Sequence, residues 1–128
     1  MGRVVLDSSV LIALLDESDI HHVAVKQHFE GSEDQCEISV LTFTEAMTAP
    51  LTANPRSGER IRQALTRAVS SVHPVTEAIA VKAARVRVAT GLKTVDAIIS
   101  ATALVEGVAL WTCDQKLAKA HKGAVLIA

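Results

Sequence analysis

Aromatic side chains are scarce in this chain: its 128 residues include one tryptophan, two phenylalanines and no tyrosine. A core for one domain of this length must therefore be built from Val, Leu, Ile and Ala. Cysteine is equally sparse. Cys36 and Cys113 fall in different expected elements, with no CxxC and no metal-ligand spacing, so a reduced, cytoplasmic protein is the simplest account. Long hydrophobic runs are missing too. The longest early one, Val10 to Leu15, is too short to span a bilayer, and no secretory segment precedes Asp7, so no membrane association is expected. Charge of one sign is also lacking: the net charge is −1, which excludes a generally basic nucleic-acid binder.

Apolar residues, by contrast, make up 49% of the chain, and the mean hydropathy is +0.31. That is more apolar surface than a small core needs, and a homodimer or a partner chain is expected to cover the excess. The charges are segregated. Residues 1–55 hold 2 basic and 9 acidic side chains, a net −7, whereas residues 56–93 hold 8 basic and 2 acidic, a net +6. A polyanion can lie along the second segment with one phosphate near the first, which makes Arg60, Arg67, Arg85 and Arg87 candidate contacts for a phosphate backbone.

Hydrophobic spacing predicts alternating strands and helices. Strands are expected at Val4–Leu6, Glu37–Val40, Val72–Val75, Val108–Thr112 and Ala124–Ile127. Helices are expected at Val10–Leu15, His21–Phe29, Thr42–Ala49 (stopped near Pro50), Ser57–Val69, Thr76–Thr90, Thr94–Glu106 and Gln115–Ala120. Between Val95 and Val105 only Asp96, Ser100 and Thr102 are polar, the pattern of a buried helix. This alternation predicts an α/β fold, a three-layer α/β/α sandwich around a parallel sheet, in a single domain spanning residues 1–128. No repeat, low-complexity tract or linker interrupts it.

Four acids fall where a strand ends or a helix begins: Asp7, Glu45, Asp96 and Asp114. Each alone has a bland explanation. Asp7 and Asp114 suit N-caps, Glu45 follows Thr42 at capping-box spacing, and Asp96 suits the positive end of its helix. Together they fall on one edge of a parallel sheet, where open α/β sheets bind ligands. Clustered carboxylates repel one another unless a divalent ion holds them, and hard oxygen donors without cysteine or histidine at ligand spacing point to Mg²⁺ or Mn²⁺. Such a site suits hydrolysis of a phosphodiester, with Ser8, Ser9 and Thr112 as hydroxyls that orient carboxylates or water.

The runs Val4–Ala13, Leu41–Glu45, Val95–Ala103 and Leu110–Asp114, in this order and spacing, resemble the PIN domain, and the chain length is similar to VapC-type toxins of bacterial toxin–antitoxin pairs. The resemblance implies an α/β/α sandwich and an Mg²⁺- or Mn²⁺-dependent endoribonuclease. It also implies an RNA substrate, a homodimer and a cognate antitoxin that wraps the toxin. It carries the acidic set onto Asp7, Glu45, Asp96 and Asp114, with Thr112 beside the last. Cys113 departs from the pattern, which usually has a polar or basic residue before the final acid.

Three other readings compete. They are a PIN-type nuclease of RNA processing without an antitoxin, a phospho-acceptor or phosphatase domain, and a binding module that kept its acids without catalysis. The common phosphatase signature needs a second Asp two residues after the first, where this chain has Ser9. His21, His22 and His28 are set aside as a metal site, and Trp111 is expected in the core.

Overall fold

The computed structural model describes residues 2–128. Strands β1 (Arg3–Leu6), β2 (Gln35–Ser39), β3 (Ser71–His73), β4 (Ala109–Thr112) and β5 (Val125–Leu126) form one parallel sheet in the order β3-β2-β1-β4-β5. The helices are α1 (Ser8–Leu15), α2 (His22–Glu30), α3 (Leu41–Ala53), α4 (Gly58–Ala68), α5 (Glu77–Thr90), α6 (Thr94–Glu106) and α7 (Gln115–Ala120).

Side chains alternate across a strand, so each central strand must supply two cores. Val4 and Leu6 of β1 join Cys36, Ile38 and Trp111 in a core covered by α1 to α4, while Val5 and Leu110 face α5, α6 and α7. The expected three-layer sandwich is thus present. Both central strands are apolar on each face, as the Val/Leu-rich runs require.

Several boundaries differ from expectation. α3 does not stop at Pro50 but runs on to Ala53, where the Asn54 amide bonds the Pro50 carbonyl at 2.9 Å. Packing against α4 and a 3-10 turn at Pro55–Ser57 outweighs the proline's local preference. β3 ends at His73, because Pro74 has no amide to continue the ladder. α6 is buried only along its middle: Leu104 and Val105, near its C-terminus, are exposed. Trp111 is buried as expected, edge-on to Phe29 and His28. Among the described residues no single helix is long and apolar enough to cross a membrane. α5 and α6 would pass that test as a pair, but they fold back on each other at 115°.

Candidate active site

β1 ends at Leu6 and α1 begins at Ser8, which leaves Asp7 at the carboxyl edge of the sheet with 4% of its surface exposed. Asp7 occupies the N-cap position but makes no side-chain cap bond. Its Oδ2 instead accepts from Ser9 Oγ at 2.6 Å and from Thr112 Oγ1 at 2.8 Å. Those hydroxyls are themselves aimed by backbone amides: Cys113 N donates to Ser9 Oγ and Asp114 N to Thr112 Oγ1, each at 3.0 Å. A hydroxyl that accepts from an amide has its one proton left for the carboxylate. The strand end of β4 thereby fixes the Asp7 side chain.

Glu45 lies in the second turn of α3. It forms no capping box, since the helix begins at Leu41 and its N-cap, Val40, has no side-chain cap bond. Ser8 Oγ donates to Glu45 Oε1 at 2.5 Å, tying α3 to α1. Asp114 is the acid for which the capping reading holds. Its Oδ1 accepts from the amides of Lys116 at 2.8 Å and Leu117 at 3.4 Å.

Asp96 is in the first turn of α6, and no donor among the described residues bonds its carboxyl group. Burial pushes its pKa up to about 6, and the charges of Asp7, Asp114 and Glu45 push the same way, with Lys93 partly offsetting them. Asp96 therefore feels the charge of the other three acids predicted from sequence. A carboxylate without donors, raised by its neighbours, is a hard-oxygen setting that a divalent cation would relieve. Asp7, Glu45 and Asp96 have oxygens free to hold one. The acids are spread more widely than metal ligands around a bound ion: among the described residues, the three ligand atoms within 4.8 Å of one another belong to Glu37, His73 and Glu106. A cation at the four-acid cluster would have to draw its carboxylates inward.

That second cluster was not anticipated, although a glutamate inside a strand buried on both faces is a readable signal. Glu37 accepts from Arg3 Nε at 2.5 Å, Arg3 Nη2 at 2.9 Å and His73 Nε2 at 2.6 Å, and Arg3 also binds Glu106 at 2.9 Å. Arg3 holds the Glu37 carboxyl below its ordinary range against the opposing effect of burial. A guanidinium already sits where an ion would go.

Between α1, α3 and α4 lies an apolar groove of about 610 Å³, lined by Ile12, Ala46, Ala49, Ile61 and Leu65, with Glu45 and Arg60 also on its wall. It connects to the acids through Glu45. Arg67, Arg85 and Arg87 are exposed, and Arg87 also donates Nε to the Leu92 carbonyl at 3.1 Å. Both cysteines are free, and burial pushes each thiol up to about 11, so neither is activated.

The PIN domain family model matches residues 4–123. No curated protein is matched by sequence. Among solved structures, a toxin–antitoxin complex from Klebsiella pneumoniae is 27% identical, with a TM-score of 0.80 and 98% of each chain covered. FitAcB from Neisseria gonorrhoeae is 21% identical, with a TM-score of 0.78 and 96% of each chain covered. VapC20 from Mycobacterium tuberculosis, a toxin that cleaves the sarcin–ricin loop, is 22% identical, with a TM-score of 0.73, covering 91% of this chain and 94% of its own. The fold, the order of its motifs and the family match agree: this chain belongs to the PIN domain family.

Proposed function

We propose that the protein is an endoribonuclease dependent on Mg²⁺ or Mn²⁺, the toxin of a toxin–antitoxin pair. The observation that carries this reading is Asp96, a carboxyl without a donor that is pushed up to about 6 by burial and by three other acids. Structural carboxylates are paired, as Glu37 is. Acids with no ion-pair partner among the described residues, at the ligand-binding edge of an α/β sheet, are suited to a divalent cation.

Asp7, Glu45 and Asp96 would hold the ion, with Asp114 as a more distant acidic neighbour because its Oδ1 caps α7. When bound, the ion supplies positive charge to the scissile phosphate and water activation near neutral pH. The chain's own part is positioning. Ser9 and Thr112 aim Asp7, Ser8 anchors Glu45, and Arg60, Arg67, Arg85 and Arg87 are the proposed contacts for the RNA backbone.

The likeness to the Klebsiella pneumoniae complex supports an antitoxin partner. We place an amphipathic antitoxin segment in the groove beside Glu45, with a basic side chain reaching the acids. Val81 and Val88, seven residues apart on α5, and Leu104 and Val105 on α6 are exposed apolar residues that support a homodimer. The reading is tested by incubating purified protein with total RNA, with and without Mg²⁺, and mapping the cut ends. Discrete cleavage that requires the metal and disappears in Asp96→Asn supports it, whereas equal cleavage by both proteins contradicts it.

A further inference from the structure

A site made only of carboxylates repels the polyanion it must admit. Even with a cation bound, an incoming phosphate needs a fixed positive charge at the rim. Lys93 stands three residues before Asp96, at the N-cap of α6. It is exposed, and none of the ion pairs among the described residues engages it.

Four hydrogen bonds hold the turn that carries it. α5 ends in Gly91 at φ 74°, a left-handed conformation that glycine adopts without strain, and the Gly91 amide bonds the Arg87 carbonyl at 2.8 Å. Leu92 is inserted into the core with 2% of its surface exposed. Its amide bonds Thr90 Oγ1 at 3.2 Å, and its carbonyl accepts from Arg87 Nε. The Lys93 carbonyl then accepts the first helical bond of α6, from Ala97 N at 2.9 Å. The turn is pinned while the lysine side chain is left free.

Resting on the ribonuclease reading above, we propose that Lys93 contacts the RNA backbone phosphate at the acidic site, and that Arg87 is a positioning residue that holds the turn carrying it. Arg87 then serves RNA binding through Leu92 as well as by its charge. Substrate selection is not required of Lys93, because an ammonium binds any phosphate as a point charge.

The test uses the Asp7→Asn protein, which cannot cleave on this account, and a fluorescein-labelled single-stranded RNA of mixed sequence, with affinity read by anisotropy across a salt series. Adding Lys93→Ala should weaken binding on the order of 5- to 10-fold near 0.1 M salt and lower the salt slope by about 0.7. Lys93→Arg should keep both within about twofold. Arg87→Ala should weaken binding less than Lys93→Ala, and Lys26→Ala, the same charge change on α2 across the sheet, should leave affinity within about twofold. No RNA binding at all, or an unchanged slope and affinity in Lys93→Ala, overturns the proposal. Failure of the ribonuclease reading shows separately, as absence of metal-dependent cleavage by the wild-type protein.

Discussion

Two clusters of charged side chains in this molecule treat their carboxylates in opposite ways. Around Glu37, the sheet supplies every oxygen with a donor, and Arg3 brings the compensating charge. Around Asp96, the fold brings four acids together and offers the central one no donor. Both glutamate and aspartate are partly desolvated, so burial alone does not separate them. What separates them is whether the protein itself neutralises the charge, and only the cluster that is left unneutralised has a use for an ion from outside.

The largest expected effect comes from removing charge at the open cluster. Asp7→Asn or Asp96→Asn should lower RNA cleavage by on the order of 10³-fold or more, since each removes a proposed ligand and no second nucleophile is at hand. The same substitutions should leave the metal-free protein as stable as wild type or more so, because they relieve repulsion. Melting curves in chelator check this half. A large loss of stability in Asp96→Asn would mean the acid is structural.

At the closed cluster the reverse is expected. Arg3→Ala leaves the Glu37 carboxylate buried with His73 as its remaining partner and should lower stability, by less than breaking a fully buried pair because Arg3 is 43% exposed. Residual cleavage per folded molecule should be unchanged. Urea titration measures the first quantity and a metal-dependent cleavage assay the second.

The two clusters should also give opposite responses to pH. Asp96 has a raised pKa, so the native chain holds its proton more tightly than the unfolded chain between the ordinary aspartate value of 3.8 and about 6. Stability of the metal-free protein therefore falls as pH rises through that window, by about 1–2 kcal/mol after allowing for solvent screening of a partly exposed group. Glu37 has a lowered pKa: its contribution is complete above the ordinary glutamate value and is lost as pH falls through its folded value. Asp96→Asn should flatten the first slope and spare the second. Metal affinity should weaken as pH falls through about 6, because the cation must displace the Asp96 proton.

Smaller in magnitude is the expected competition between partner and metal. If an antitoxin's basic side chain reaches the acids, raising Mg²⁺ should weaken inhibition by a few fold, about 1 kcal/mol, while the apolar groove keeps most of the affinity. Titrating Mg²⁺ into an inhibited complex measures it. Inhibition that ignores Mg²⁺ would place the basic residue elsewhere.

The layer order was legible in the sequence because it follows from periodicity, and it brings Asp7, Glu45 and Asp114 close enough for Asp96 to feel their charge. Alternating strands and helices bring strand ends and helix starts to one edge, and Asp7, Glu45, Asp96 and Asp114 all fall there. Less was legible where distant packing overrides local preference, as in α3 continuing through Pro50. Nor could spacing show which acid is a cap: Asp114 caps α7, while Asp7 in the equivalent position is bound by two hydroxyls. The Arg3–Glu37–His73–Glu106 network joins residues more than thirty positions apart and has no local signature beyond an acid in an apolar strand.

The contrast between the clusters is tested most directly by titrating Mn²⁺ calorimetrically into the wild type, Asp96→Asn and Glu37→Gln at neutral pH. The account predicts that Asp96→Asn loses at least about tenfold in affinity, whereas Glu37→Gln binds like wild type. Wild-type binding in Asp96→Asn, with loss in Glu37→Gln, would place the ion at the closed cluster and contradict it.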